Sequence, residues 1–186
     1  MSDETNYTLE SDGEVKQIPA PELDYKPQLP QSYRPKIGLI GCGGITFHHL
    51  TAYKQDGLEV IALCDLNPEA SEERRKEFYS EAKCYTHYNE LLSDDSIEVV
   101  DIALHPAPRA TAIESALNAG KHVLSQKPFA LDLDVATRLA DLADEKGLKL
   151  AVNQNGRWAP YVRYIQQAIN QDLIGDVHSI NMFLNW

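Results

Sequence analysis

From Lys36 onward, short apolar runs recur at intervals that leave room for one helix between successive runs. This alternation limits the folds open to the chain more than any other feature. The runs fall at 36–40, 59–64, 83–86, 98–104, 121–125 and 148–153. Nearly all are continuous rather than alternating, which is the pattern of strands covered on both faces and so of a parallel sheet between helix layers. Helices are expected from Pro68 to about Tyr79, from Pro108 to a stop at Gly120, from about Asp134 to Lys146, and again from near Pro160. Proline suits a first helical turn and glycine the position past a last one. Strand–helix–strand units with right-handed crossovers build a doubly wound, mostly parallel α/β sheet.

The first run ends in Gly41-Cys42-Gly43-Gly44-Ile45-Thr46 and opens a helix. Gly41 can make the tight turn, and Gly43 lacks the side chain that would keep a phosphate from the backbone. The amides that follow, through Gly44, Ile45 and Thr46, aim at negative charge from a helix start. Thr46 stands where the pattern Gly-x-Gly-x-x-Gly has its third small residue, so close packing of helix on strand is less assured there. The second run closes on Asp65, placed to accept both ribose hydroxyls of an adenosine and to repel a 2′-phosphate, which favours NAD over NADP. Its competing role is a turn residue ahead of the helix at Pro68.

Ligands of such sheets lie at the carboxyl ends of the strands. One such end is Leu104-His105-Pro106, followed by Arg109; the next is Gln126-Lys127-Pro128; the last is Asn153-Gln154-Asn155, followed by Trp158. Lys127 reaches toward the crevice, where a lysine can hydrogen-bond a substrate hydroxyl and, if burial destabilises its ammonium, exchange a proton. His105 either lines a ribose or sits in a loop. Arg109 cannot relay a proton, so it anchors an anion, caps locally or lies exposed. Asn153, Gln154 and Asn155 offer amides suited to hydroxyls and a carboxamide, whereas Asn-Gly is also a common turn. Trp158 offers a flat wall to a sugar ring or packs between domains.

Composition excludes other classes. With 28 Asp and Glu against 17 Lys and Arg, nothing suggests nucleic acid or an anionic membrane surface as a partner. Cys42, Cys64 and Cys84 lack metal-ligand spacing and read as reduced structural thiols of a cytoplasmic protein. His48 and His49, adjacent on a helix, point to different faces and make no metal pair; no metal site is expected. No segment reads as a signal peptide or a membrane span.

The flanks differ from the centre. Residues 1–35 carry five of the ten prolines and read as an arm, disordered to about Lys16 and then either extended along a surface through Leu23, Tyr25, Leu29 and Tyr33 or wholly unstructured. The last run, 177–186, alternates like a strand with one buried face but has no partner within the chain. It is therefore expected to begin a second domain of a longer protein. The division expected is an arm at 1–35, a nucleotide domain at 36–156, and a linking helix with the first strand of a second α+β domain at 157–186.

Together, Gly41-Cys42-Gly43-Gly44-Ile45, Asp65, Ala119-Gly120-Lys121-His122-Val123-Leu124 and Lys127-Pro128 resemble the Gfo/Idh/MocA oxidoreductases. The likeness spans about residues 36–186, and its most discriminating part is the block from Ala119 to Pro128. It implies a Rossmann domain and NAD bound by Gly41, Gly43, Gly44, Ile45, Thr46, Asp65, Leu104, His105, Pro106, Gln126, Lys127, Pro128 and Asn155. It also implies hydride exchange with a hydroxyl-bearing carbon of a sugar or cyclitol held by Lys127, Asn153, Gln154 and Trp158, with Lys127 catalytic, and a homo-oligomer formed through the second domain. Members typically carry Glu-Lys-Pro, often with a cis bond before the proline; here Gln126 replaces the Glu. They also often carry a His where this chain has Arg109. Two other readings stand beside this one: an NAD-dependent glycoside hydrolase of related build, and a non-catalytic nucleotide-binding module.

Overall fold

The computed structural model describes residues 19–28 and 30–183. Six strands form one sheet: β1 (Lys36–Ile40), β2 (Glu59–Cys64), β3 (Lys83–Tyr85), β4 (Val99–Ile102), β5 (His122–Gln126) and β6 (Leu150–Asn153). They lie in the order β3-β2-β1-β4-β5-β6 with every neighbour parallel. The order reverses between β1 and β4, and a crevice opens at the carboxyl ends of the strands at such a point. The chain folds as the doubly wound Rossmann sheet that the alternation of runs predicts.

Five helices accompany these strands: α1 (Thr46–Gln55), α2 (Pro68–Phe78), α3 (Tyr88–Leu92), α4 (Pro106–Asn118) and α5 (Leu133–Glu145). Adjacent residues of β1 supply both cores. Ile40 packs with Ile102, Ile113, Leu117 and Leu139, whereas Leu39 packs with Leu50, Val60 and Leu63. Successive strand side chains point to opposite faces, so both faces of the sheet are dry, which explains why the runs are continuous. The Asn67 side chain caps α2 by accepting from the Glu69 amide (3.1 Å), and Asp132 caps α5 by accepting from the Val135 amide (3.0 Å).

Two expectations of helix and strand position shift. The helix expected at Pro108 begins at Pro106, because His105 is extended (φ −60°, ψ 155°) and Pro106 takes the first helical turn. The run from 177 forms no strand among its described residues, 177–183, which are exposed. A strand exists by its ladder, and no described segment pairs with this one. Positions 184–186, like Leu29 and the leader to Lys16, lie outside the described residues.

Residues 27–158 form one compact unit. The other joins the arm to α6 (Pro160–Asn170) and the residues after it. Within that second unit the Tyr164 hydroxyl donates to the Pro21 carbonyl (2.8 Å) and Arg163 Nε to that of Tyr25 (2.5 Å). The rings of Tyr25 and Tyr164 meet edge to face, centroids 5.7 Å apart. Residues 19–26 thus lie along α6, as the apolar residues among the arm's prolines suggest. Among the described residues no helix is long and apolar enough to cross a membrane.

The Ala119–Leu124 block lies at the amino edge of the sheet, away from the crevice. Gly120 takes a left-handed conformation (φ 74°) after α4. The Lys121 ammonium is buried and donates to the carbonyls of Asp94 and Ile97, each at 2.9 Å, and His122 Nδ1 accepts from the Lys149 amide (3.0 Å). This part of the sequence signature therefore holds loops. Lys121→Met leaves two carbonyls without their donor and is expected to lower stability by about 2 kcal/mol in urea unfolding, with ligand affinity unchanged because the crevice lies at the other edge.

Candidate active site

The glycine turn forms the floor of the crevice. Gly41 has φ 92°, and a Cβ there would stand 2.8 Å from the carbonyl oxygen of Ala103; only glycine satisfies both constraints. A Cβ on Gly43 or Gly44 would meet nothing within 4 Å, so these two positions border open space. Thr46 is fully buried and its hydroxyl donates to the Gly43 carbonyl (2.6 Å). The third small position of the motif is thus filled by a side chain that packs and braces the turn. α1 opens with no side-chain cap, and the amides of Gly43, Gly44 and Ile45 have no backbone acceptor among the described residues. Such a cradle of unpartnered amides at a helix start fits a diphosphate.

Asp65 stands beside it, half-buried. Its two carboxylate oxygens accept one amide each, from Cys42 (2.8 Å) and Asn67 (2.9 Å). The two roles weighed for Asp65 therefore coexist: the carboxylate shapes the turn before α2, and each oxygen keeps a lone pair for a ligand hydroxyl. Burial, with the nearby Asp65 charge, pushes the thiols of Cys42 and Cys64 up to about 12. Both are inert, protonated core groups.

Two recesses continue from this floor. One, of about 580 Å³, is lined by Asp65, Leu66, His87, Tyr88, Leu104 and His105 among others. The other, of about 420 Å³, lies between Gly43, Gly44, Pro106, Arg109, Lys127 and Pro128, and it shares Leu104 and His105 with the first. The structure thus gathers 43–45, 65, 104–106 and 126–128 along one groove, whereas Gly41 shapes the turn beneath it and Thr46 is buried, bracing that turn. Lys127 and His105 are exposed, and the Lys127–Pro128 peptide is cis. Asn153, at the end of β6, is brought toward the Gln126 side of this groove through His49. Exposed Gln154 follows β6, Asn155 and Trp158 lie on the exposed 3-10 turn after it (Asn155–Trp158), and neither recess includes them.

Arg109 settles into one of its three readings. It is 2% exposed, and its guanidinium donates to the carbonyls of Leu104 (Nε, 3.0 Å), Gln126 (2.8 Å) and Pro128. Burial lowers its pKa. It acts as a local cap that ties the end of β4 to the turn after β5, in the fixed fork geometry that lysine lacks.

Sequence reasoning missed a polar cluster behind the groove. His49 is buried, with Nδ1 at 2.7 Å from Asp101 Oδ2, and the Tyr53 hydroxyl donates to the same oxygen at 2.8 Å. Asp101 Oδ1 has no partner among the described residues. The signal was present: Asp101 interrupts the run Val99-Val100-Asp101-Ile102, and a buried carboxylate demands donors. His49 and Tyr53 lie four residues apart on the face of α1 that supplies them. Burial favours neutral His49, but the hydrogen bond and charge of Asp101 outweigh it and raise the imidazole above its ordinary value. The same carboxylate and burial hold Tyr53 well above the usual phenol range.

A family model described as "Oxidoreductase family, NAD-binding Rossmann fold" matches residues 35–154. The chain belongs to the Gfo/Idh/MocA family. It is 34% identical over 141 residues to D-apiose dehydrogenase of Paraburkholderia graminis, a match covering 75% of this chain and 37% of that protein. It is 32% identical over 117 residues to inositol 2-dehydrogenase of Salmonella typhimurium, covering 62% and 35%. Among solved structures, scyllo-inositol dehydrogenase from Lactobacillus casei with bound NAD(H) and scyllo-inositol superposes with a TM-score of 0.70 at 27% identity, covering 77% of this chain and 43% of that one. A 3-ketoreductase from Actinomadura kijaniata in complex with NADP and TDP-benzene gives 0.69 at 29% identity, covering 77% and 44%. The matches cover only 35% to 44% of these relatives' own lengths.

Two glycines separate folding from binding. Gly41→Ala, strained at positive φ and against a backbone oxygen, is expected to cost about 2 kcal/mol or more of stability. Gly43→Ala projects a methyl into open space, so stability should stay within about 0.5 kcal/mol while dinucleotide affinity in calorimetry falls about tenfold or more. The His49–Asp101 pair has its own pH signature. A raised folded pKa makes its stabilisation full below the unfolded value of about 6.5 and lost as pH rises through the folded value. Relative to His49→Gln, the wild type should therefore lose margin in urea unfolding as pH climbs above about 6.5.

Proposed function

We propose that this chain binds NAD along the groove and serves hydride transfer between the nicotinamide and a hydroxyl-bearing carbon of a sugar or cyclitol. The observation that carries the reading is the turn into α1, where the amides of Gly43, Gly44 and Ile45 have no backbone acceptor among the described residues and Asp65 stands beside them. Gly43, Gly44 and Ile45 would hold the diphosphate, and Asp65 the adenosine ribose. The recess at Leu66, His87 and Tyr88 would take the base. Leu104, His105, Pro106, Gln126 and Pro128 would flank the nicotinamide end, with Asn155 closing it. When bound, the dinucleotide supplies the hydride acceptor or donor.

The chain's own residues do the remaining work. Lys127, exposed at the groove, would face the reacting oxygen: as a neutral amine it takes the hydroxyl proton while hydride leaves the carbon for the nicotinamide, and as an ammonium it returns a proton to the carbonyl oxygen in the reverse direction. Asn153, Gln154 and Trp158 orient the other hydroxyls and the ring face. The relatives named for apiose and inositol support the substrate class. NAD is preferred over NADP because a 2′-phosphate would face the Asp65 carboxylate. The relatives include both an NAD(H) and an NADP complex, so the residues at 65–67 carry this choice.

The test is calorimetry with NAD and NADP, followed by polyol oxidation by the full-length protein with NADH absorbance as the readout. Asp65→Asn removes the charge and, because its NH₂ cannot accept, gives up one of the two amide contacts; discrimination against NADP should fall about tenfold. Lys127→Met should abolish most turnover while leaving NAD affinity within about twofold. Hydrolysis of a glycoside without net NADH would favour the hydrolase reading. NAD binding without turnover in the wild type would favour the non-catalytic module, and no heat with either dinucleotide would overturn the proposal.

A further inference from the structure

The Asp101–His49–Tyr53 cluster continues into the groove. The ring nitrogen of His49 opposite Asp101, Nε2, lies 3.1 Å from Asn153 Nδ2 and 3.3 Å from Gln126 Nε2. A carboxylate only accepts, so Nδ1 carries the proton that faces Asp101, and in the neutral ring Nε2 is then a lone pair. The two carboxamide NH₂ groups are donors suited to it. The Gln126 carboxamide oxygen is engaged in turn, accepting the Lys127 amide at 2.7 Å. One continuous path therefore runs from a carboxylate inside β4, through a helix side chain, to the backbone of the lysine at the groove.

We infer that His49 is a positioning residue: its Nε2 holds the carboxamides ending β5 and β6 and, through Gln126, sets the backbone of the Lys127–Pro128 turn. The inference rests on the function proposed for Lys127. It also accounts for Gln126. A Glu at this position would put an acceptor against the Nε2 lone pair and could pair only with a doubly protonated ring, whereas Gln matches the neutral one. Asp101 satisfies Nδ1 alone, and the donors that satisfy Nε2 come from the two strand ends that border the groove rather than from the core.

Three measurements on the full-length protein decide it. Long-range proton–nitrogen correlation of the imidazoles at alkaline pH should show His49 as the Nδ1–H tautomer, assigned by its loss in His49→Gln; an Nε2–H tautomer overturns the inference. Hydrogen exchange at the Lys127 amide should speed up about tenfold in both His49→Ala and Asn153→Ala, with the amides of Val100 and Ile102 unchanged; unchanged exchange at Lys127 overturns it. In Gln126→Glu the His49 ring should stay doubly protonated to a higher pH than in the wild type, and an unchanged or lower transition counts against the pairing. Should His49→Ala fail to fold, Asn153→Ala and Gln126→Glu, altered at the groove side, carry the same test. In kinetics, His49→Ala should lower kcat about tenfold or more with NAD affinity within about twofold; equal losses in both would indicate a structural role only. If the wild type binds no dinucleotide, the functional proposal falls, while the tautomer and exchange results still judge the positioning.

Discussion

At the end of β1 the Gly41 amide donates to the Cys64 carbonyl (2.7 Å) while the Ile40 carbonyl accepts from Ala103 (2.8 Å). The chain thus leaves the sheet pinned between β2 and β4. It must then turn at once, because the Ala103 carbonyl blocks any side chain at position 41. Everything in the groove follows from that pinch. The turn delivers Cys42 to the Asp65 carboxylate and aims the start of α1 across the sheet edge. It also leaves Gly43 and Gly44 at the border of the open space. The cradle proposed for a diphosphate follows from packing three strand ends at a point where the strand order reverses.

Two aspartates show how position along a strand decides what a carboxylate does. Asp65, just beyond the end of β2, is reached by backbone amides and remains half open, so it keeps lone pairs for a ligand. Asp101, inside β4 and 1% exposed, is reached only by side chains, and both donors fall on one oxygen. A buried carboxylate without compensation costs several kcal/mol, so α1 must present Tyr53 and His49 at this height. That requirement fixes the rotation of the helix about its own axis. The same helix follows directly on Gly43, Gly44 and Ile45, whose amides border the groove. The cluster behind the site and the cradle in front are therefore set by one helix.

The alternation of apolar runs made the parallel sheet and its carboxyl-end groove legible, because parallel strands buried on both faces leave an unmistakable run length; the strand order came only with the structure. The glycine turn and Asp65 were legible for the same reason: each follows a strand end at a spacing that local geometry dictates. Arg109 was not, since a charged residue in a first helical turn is usually solvated and only the fold shows three carbonyls converging on it. His49 was set aside because adjacent histidines on a helix cannot share a metal. Adjacent positions point to different faces, which says nothing of what the inward one of the two meets. The Ala119–Leu124 block marks the family but works at the far edge, where Lys121 replaces water on loop carbonyls. Signature strength and distance from the chemistry are separate quantities.

Substitution of Gln126 for the family's usual Glu gains meaning within this frame. At the end of β5 a charged partner for Lys127 is exchanged for a neutral carboxamide that faces both ways, donating toward His49 and accepting from the Lys127 backbone. Electrostatic pairing gives way to orientation by hydrogen bonds, and orientation is what a groove lined by an exposed lysine needs. Arg109 reinforces this from below, since its guanidinium grips the carbonyls of Gln126 and Pro128 on either side of the lysine. The lysine's backbone is thus held at three points, while its side chain, unpaired with a neighbouring carboxylate at 126, is left to the ligand.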